Sequence, residues 1–405
     1  MLAQPRMTTP KSTLDFLRTE AASGSALAIA AVTAVFLANS PWADSYFAWV
    51  HAKHTLQVGG FEETRSTLKW IKEGLMAIFF FVVGLEIKYE VLRGELSSIR
   101  KLGLPVLAAV GGMVAPALVF LAFNVGDAGV PRGWPIPTAT DIAFALAALA
   151  IAGPRLPGSL RIFQLTLAIA DDLGAVALIA LLFSSSINVI AVLGALVTLA
   201  AMAGIGKLKQ GTPLLFAIGF LIVWAFTLKS GINTSLAGVA AAMTVPIGAN
   251  KPGEEGMVKH FLEGLHPYVA WGILPIFAFA AAGFSFVAME VDHLLAPLPL
   301  GIVLGLLVGK PIGVMAASAL AVALRLGHRP SGATWFELFG ISLLCGVGFT
   351  MSLFIGGLAF PDGGEALSQV QLGVIGGSIL SIIAGAIVLR LAQMRRPRTV
   401  IEVAP

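Results

Sequence analysis

The sequence has 405 residues, of which 57% are hydrophobic and only 12% are charged, and its formal net charge is +4. A typical soluble domain carries about 25% charged residues, so this composition excludes a soluble globular protein and indicates an integral membrane protein. The single cysteine, Cys345, lies in an apolar segment. It therefore excludes a disulfide framework and a thiolate metal cluster.

Apolar runs of about 20 residues, the length that crosses a bilayer, recur from one end of the chain to the other. About twelve are predicted, and no soluble domain fits between them. We therefore expect residues 1–405 to form one all-α, polytopic transmembrane domain. The predicted spans are 22–38, 68–88, 103–123, 134–152, 159–183, 187–203, 213–230, 233–248, 268–287, 299–324, 336–359 and 370–393.

The two ends of the chain and the first loop are more polar than the predicted spans. Residues 1–20 are polar and basic and lack a following small-residue cleavage site, which predicts a cytoplasmic tail before a retained first helix. The loop 42–66 contains HTLQVGGFEE, whose alternation on either side of two glycines predicts a β-hairpin. Residues 394–405 are predicted to form a C-terminal cytoplasmic tail.

The fourth predicted span is interrupted near its middle. In WPIPTATDIAFALAALAIAG, Pro135 and Pro137 precede Thr140 and Asp141. Proline cannot donate the backbone hydrogen bond that a helix interior needs, so a helix break is predicted there. Asp141 is thereby placed at membrane depth.

The fifth span carries two adjacent carboxylates in LAIADDLGAVALIALLFSS. Asp171 lies about 15 Å along its helix from Arg161, near the middle of an apolar core about 30 Å thick. An ionisable residue at this depth costs about 2.5–3.5 kcal/mol. Adjacent helix positions point about 100° apart, so Asp171 and Asp172 can border one cavity without facing each other.

Two later features of the sequence also lie at this depth. Lys310 lies about 15 Å from the start of its span, and LLCGVGFTMSLFIGG places Gly346, Gly348 and Thr350 midway through the eleventh span. Two interrupted helices predict a midplane binding site, although glycines also serve close helix packing. Buried ion pairs that hold helices together are the alternative, but intramembrane charges usually mark an ion or proton pathway.

The distribution of positive charge predicts the orientation. If both termini are cytoplasmic, most of the 26 lysines and arginines fall in cytoplasmic segments, as the positive-inside rule requires. An even number of spans follows from this arrangement.

Five motifs together resemble those of NhaA-type sodium/proton antiporters over nearly the whole chain. They are FFVVGLEIKYE (80–90), PTATDIAFALAALA (137–150), LAIADDLGA (167–175), VGKPIGV (308–314) and LCGVGFTMSLFI (344–355). The resemblance implies a multi-pass exchanger of the bacterial inner membrane with twelve helices, inverted repeats and two crossed discontinuous helices, the fourth and the eleventh. It also implies a homodimer joined by the hairpin, and a role in sodium and pH homeostasis.

The resemblance implies roles for individual residues. Asp171 and Asp172 match the cation and proton site, with Na⁺ bound at both, and Thr140 and Asp141 match the helix break beside it. Lys310 matches a buried lysine that is a countercharge or a proton carrier. Glu86 matches an entrance-funnel carboxylate. Glu73, grouped with it here, stands where the family usually has a buried acid and is a conservative departure.

One segment departs from the family pattern. KHFLEGLHPYVAW lacks the usual Glu-His pair at the same register but has His260, Glu263 and His266, which are candidates for a pH-sensing loop. Asn233 stands where the best-known members carry a histidine. A solvated connection of mixed charge is the plain alternative for this segment.

The chemistry expected of these residues is exchange by competition. Sodium and lithium are small, hard cations that prefer oxygen ligands, and the carboxylates, the Thr140 hydroxyl and unwound carbonyls supply them. A site that holds either protons or a cation couples the two flows, and more than one titrating group makes the exchange electrogenic. The expected partners are Na⁺, Li⁺, H⁺ and the lipid bilayer, with no cofactor and no nucleic acid.

Two other functions are alternatives for a chain with buried aspartates. An intramembrane aspartyl enzyme carries its two aspartates on separate helices, one in a Gly-x-Gly-Asp setting that this sequence lacks. A sodium-coupled symporter of an organic anion on a related broken-helix fold is the closer alternative.

Overall fold

The computed structural model describes residues 10–58, 61–94, 99–126, 129–184, 187–208, 211–248, 256–286 and 295–396. Within these residues, seven helices are long and apolar enough to cross a membrane, or ten if each of three bent helix pairs is one span. The expectation of an all-α, polytopic membrane protein is confirmed at this level.

The helices are numbered in chain order. They are α1 (Pro10–Ala38), α2 (Ala43–His51), α3 (Thr67–Trp70), α4 (Met76–Arg93), α5 (Ile99–Asn124), α6 (Ile142–Ala152), α7 (Gly158–Leu182), α8 (Val189–Lys207), α9 (Pro213–Ser230), α10 (Ser235–Thr244), α11 (Met257–Tyr268), α12 (Leu274–Ala281), α13 (Pro297–Leu304), α14 (Lys310–Ala323), α15 (Trp335–Leu344), α16 (Phe349–Ala359) and α17 (Gly364–Arg395). Three π turns join helices end to end: Ile71–Leu75 before α4, Val269–Ile273 before α12 and Gly305–Gly309 before α14.

The first bent pair is a sharp change of chain direction. α2 leaves α1 at 114°, and its nine residues are too few to span a bilayer. The strands β1 (Lys53–Val58) and β2 (Phe61–Ser66) follow as an antiparallel hairpin, with Lys53 opposite Ser66. The turn glycines predicted at 59 and 60 lie outside the described residues.

The other two bent pairs are the two predicted interrupted spans. The fourth begins as 3₁₀ turns, Pro131–Gly133 and Ile136–Thr138, and bends by 46° into α6. Its first half is not α-helical as expected, because its prolines leave too few backbone donors. The second pair, α15 and α16, bends by 45° between Leu344 and Phe349.

Two helices begin before the predicted spans. α1 begins at Pro10, inside the segment predicted as a tail, while residues 1–9 lie outside the described part. α11 begins at Met257, so the residues predicted as a pH-sensing loop are helical. The apolar stripe of α11 packs Val258 and Phe261 against the bundle, and that burial stabilises the helix beyond the predicted span.

Close helix crossings hold the charged middle of the bundle in place. A Cβ atom on Gly111 of α5 would lie 2.4 Å from the carbonyl oxygen of Gly313 on α14. Only glycine permits this approach of two backbones. α14, which begins at Lys310, is thus fixed against α5. Outward-facing residues such as Leu181, Ile190 and Val197 are largely exposed, as lipid-facing side chains are.

Candidate functional site

The two helix breaks are joined to each other by hydrogen bonds. The Asp141 backbone N–H donates to the Val347 carbonyl at 2.7 Å, and the Thr140 hydroxyl donates to the Cys345 carbonyl at 2.8 Å. Each break leaves backbone groups without helical partners, and each supplies what the other lacks. The breaks at 139–141 and 345–348 therefore form one structural unit.

The Asp141 carboxylate binds the N-termini of both helices that follow the breaks. Its Oδ1 accepts the Phe144 N–H of α6 at 3.0 Å. Its Oδ2 accepts the Thr350 N–H of α16 at 3.0 Å and also the Thr350 hydroxyl. Because helix N-termini carry partial positive charge, one carboxylate neutralises two helix ends.

Lys310 occupies the opposite kind of position. Its Nζ donates to the carbonyl oxygen of Thr138, the last residue before the first break, and to Asp171 Oδ2 at 2.7 Å. Both side chains of this ion pair are fully buried. A buried charge requires such pairing, and the π turn that ends at Gly309 immediately precedes the lysine.

Asp172 differs from its two neighbouring aspartates. It is buried, and among the described residues its Oδ1 has no hydrogen-bond partner. The charges around it are the carboxylates of Asp171, Glu86 and Asp141 and the ammonium of Lys310. Asp171 Oδ1 is also without a partner in the described part of the chain. These oxygens are available for a proton or a cation.

One cavity of about 540 Å³ reaches this group, and we call it the aspartate cavity. It touches Asp141, Asp172 and Thr350 but neither Asp171 nor Thr140. Its lining includes five acidic residues, Glu86, Glu90, Asp141, Asp172 and Glu263, and no lysine or arginine among the residues that the structure describes. Such walls raise the local concentration of cations.

The structure separates the two glutamates that the sequence grouped as an entrance funnel. Glu86 lines the aspartate cavity. Glu73 lies thirteen residues earlier, about 20 Å along the helix, where Arg65 Nη1 approaches its Oε2 at 2.6 Å. Only Glu86 is therefore at the cavity that leads to Asp172.

The three residues of the predicted pH-sensing segment also divide. Glu263 and His266 line the aspartate cavity, whereas His260 is exposed and does not. Glu263 lies 3.4 Å from Lys259 on the same helix. Asn233 lies at another cavity, where its Oδ1 accepts the Ser235 N–H.

The glycines of the second break serve close packing as well as the break itself. A Cβ atom on Gly346 would lie 2.3 Å from the Leu306 carbonyl oxygen, and one on Gly348 would lie 2.1 Å from Ser352 Oγ. Sequence reasoning did not assign a site role to Thr350, although its position just after a predicted break was a usable signal.

The described residues contain no group of three or more His, Cys, Asp or Glu side chains arranged to hold a metal ion. A transported cation is cargo, however, and needs only transient oxygen ligands. Carboxylate oxygens at Asp172 and Asp171, the Thr140 and Thr350 hydroxyls and nearby carbonyls are of the chemical type that sodium prefers.

Comparison with known proteins gives matches over nearly the whole chain. The family model described as Na⁺/H⁺ antiporter 1 matches residues 14–389. "Na(+)/H(+) antiporter NhaA" of Rhizorhabdus wittichii is 50% identical over 376 residues, which are 93% of this chain and 97% of the relative. "Na(+)/H(+) antiporter NhaA 2" of Pseudomonas savastanoi is 48% identical over 392 residues, 95% of this chain and 97% of the relative.

The hydrogen bonds predict opposite stabilities for two isosteric substitutions. Asp141→Asn leaves one acceptor oxygen where three donors converge, and we expect the free energy of unfolding to fall by about 2–4 kcal/mol. Asp172→Asn keeps the volume and removes a buried charge, so we expect its melting temperature to equal or exceed that of the parent.

Thermal unfolding of both purified variants in sodium-free detergent solution measures this difference. Each variant is the control for the other, since both replace one buried aspartate by asparagine. Equal decreases in melting temperature, or a larger decrease for Asp172→Asn, would contradict the hydrogen-bond arrangement around Asp141.

Proposed function

The chain belongs to the Na⁺/H⁺ antiporter 1 family, and we propose that it exchanges cytoplasmic Na⁺ for external H⁺ at Asp171 and Asp172. It is a sodium/proton antiporter, a multi-pass protein of the bacterial inner membrane, and not an enzyme. Its proposed physiological role is sodium and pH homeostasis.

A single observation carries the site assignment. Asp172 is a buried carboxylate at an acid-lined cavity, and its Oδ1 has no partner among the described residues. An uncompensated carboxylate in a low-dielectric interior is strongly unfavourable. It is stabilised by binding either a proton or a small hard cation, and these two ligands exclude each other.

Asp171 and Lys310 extend the site beyond one carboxylate. Their ion pair satisfies Asp171 Oδ2, and a cation that enters between Asp172 and Asp171 competes with the ammonium. We propose that Na⁺ binding breaks this pair and that Lys310 then either releases its proton or remains a countercharge near Thr138. With more than one titrating group, more protons than sodium ions move, and the exchange is electrogenic. Li⁺ has the same ligand preference and is a second proposed substrate.

The surroundings of α16 support alternating access. Its N-terminal turn contacts the aspartate cavity at Thr350 and Met351, and its C-terminal turn contacts a second cavity at Gly357 and Leu358. Between them Phe354 is buried against Phe80 and Phe277, with ring centroids 5.4 and 6.2 Å away. This apolar seal supports alternating access, with the aspartate cavity open to the cytoplasm in this conformation.

We also propose a topology of twelve membrane spans, built from the helices of the described residues. The seven long helices, the two interrupted spans, α1, the α3–α4 helix and the short α10 together make twelve spans, with both termini cytoplasmic. The two breaks, joined by hydrogen bonds, support crossed discontinuous helices related by inverted repeats. Most positive charge then lies on the cytoplasmic side.

The hairpin supports a homodimer. Among the described residues β1 and β2 form a sheet of two strands alone, and such a sheet is marginally stable. Its edges can pair with the same hairpin of a second copy. We propose this pairing as the dimer contact.

Symport of an organic anion is disfavoured by the charge of the cavity. An anionic substrate requires cationic groups at its site, and the described lining of the aspartate cavity has five acids and no lysine or arginine.

Everted membrane vesicles test the proposed function. With a respiratory pH gradient established, Na⁺ and Li⁺ should dissipate the gradient and K⁺ should not. Asp172→Asn should abolish this response because the amide cannot exchange a proton for a cation. Asp44→Asn, which changes an exposed residue of α2, is the matched control and should behave as the parent. Sodium-dependent dissipation by Asp172→Asn would refute the site assignment.

Competition between protons and sodium also predicts the pH dependence of the apparent KM. As pH falls below the range in which the site titrates, the KM for Na⁺ should rise about tenfold per pH unit for each proton displaced. Initial rates at several sodium concentrations and pH values in proteoliposomes give this slope. A KM that stays constant across the active pH range is incompatible with direct competition.

A further inference from the structure

A second cavity of about 640 Å³ lies at the hairpin end of the molecule, and we call it the hairpin-side cavity. The residues around it come from the hairpin, α3, the turn between α9 and α10, the end of α16 and the start of α17. Its lining contains four basic and two acidic side chains: Arg65, Lys69, Lys72 and Arg132, with Glu73 and Asp362. Its charge is thus opposite to that of the aspartate cavity.

The cations of this cavity are only partly neutralised. Arg65 is held by Glu73 at 2.6 Å and by Glu63 at 3.4 Å. Within the part of the chain that the structure describes, Lys69, Lys72 and Arg132 have no salt-bridge partner. The Arg132 guanidinium lies over the Phe360 ring, 5.2 Å from its centroid, which positions the group without neutralising its charge.

The Lys72 ammonium group lies against the backbone of α16 at a glycine. A Cβ atom on Gly357 would lie 2.0 Å from Lys72 Nζ, so glycine at this position lets the ammonium lie against the backbone of α16. The side chain is partly exposed to the cavity.

Two buried donor groups at this cavity also lack an acceptor among the described residues. Thr234 lines the cavity and is 3% exposed, and its Oγ1 has no hydrogen-bond partner among the described residues. Arg65 Nε is likewise buried without a partner there. A buried donor without an acceptor is costly. Thr234 is also the residue before α10, where the helix dipole favours negative charge.

We propose that the hairpin-side cavity binds a phosphate-type oxyanion, with Lys69, Lys72 and Arg132 as countercharges and Thr234 Oγ1 as a hydrogen-bond donor. The cavity is far larger than a halide ion, and its donors are on separate helices and turns. The several oxygens of a tetrahedral anion can satisfy donors that converge from different directions. The same group is available as free inorganic phosphate or as the phosphodiester of an anionic lipid headgroup.

The competing account makes Lys72 a structural countercharge. Gly357 is near the C-terminal end of α16, whose carbonyl groups carry partial negative charge. On that account Lys72 stabilises the helix end and no ligand is required. The unpartnered Thr234 hydroxyl is not explained by it.

Thermal unfolding of the purified full chain with added ligand separates the two accounts. Inorganic phosphate with choline as its counterion is the first ligand, and choline chloride at equal ionic strength is its control. Phosphatidylglycerol in mixed micelles forms a second arm. The variants are Lys72→Gln and Thr234→Val. Lys207→Gln, which removes an exposed charge of α8 outside the lining of either cavity, is the matched control.

We expect phosphate to raise the melting temperature of the parent and of Lys207→Gln, with an apparent affinity about tenfold lower or more in Lys72→Gln. Thr234→Val should weaken phosphate binding less than Lys72→Gln does. If Lys72→Gln does not fold, calorimetric titration of phosphate into Thr234→Val and into the parent tests whether the cavity binds phosphate. A Lys72-dependent shift with phosphatidylglycerol alone supports the same site with lipid as the source.

Three results overturn the proposal. They are an equal shift with chloride, an equal phosphate shift in all variants, and no shift in either arm. Lys72→Gln that melts lower but keeps the full phosphate shift assigns the lysine to the helix end instead.

Discussion

The Asp141 carboxylate is the constraint on which the centre of the molecule depends. It accepts hydrogen bonds from the first turns of α6 and α16, so two helices that begin inside the bundle share one negative charge. Lys310 meets the carbonyl end at Thr138. With both kinds of helix end neutralised in this way, the chain can be interrupted at membrane depth, where unpaired backbone groups are otherwise prohibitive.

This arrangement leaves a surplus of negative charge. Asp141 binds the helix ends and Asp171 Oδ2 binds Lys310, whereas Asp171 Oδ1 and Asp172 Oδ1 have no partner among the described residues. Proton or sodium binding at the proposed site offsets that surplus. The two cavities then have complementary characters, because one is acidic and reaches Asp172 and the other is cationic and is separated from it by the buried Phe354.

Sequence alone accounts for much of this picture. Apolar run lengths located the seven long helices of the described residues, because a bilayer requires about 20 residues of helix, and Pro135 and Pro137 located the first break. The start of α11 was missed because its apolar stripe is narrow and is buried by tertiary contacts. Glu73 and Glu86 are on one helical segment and were grouped, but their separation along it places them at different cavities. The role of Thr350 depends on a contact across 209 positions of sequence, which local patterns do not encode.

The central claim is that protons and sodium ions exclude each other at the aspartates. Isothermal titration of Na⁺ into the purified protein at alkaline pH, in two buffers of different ionisation enthalpy, measures the protons released per sodium ion bound. The account predicts about one proton or more released for each Na⁺. Measurable sodium binding with the same heat in both buffers, and hence no proton release, would contradict it.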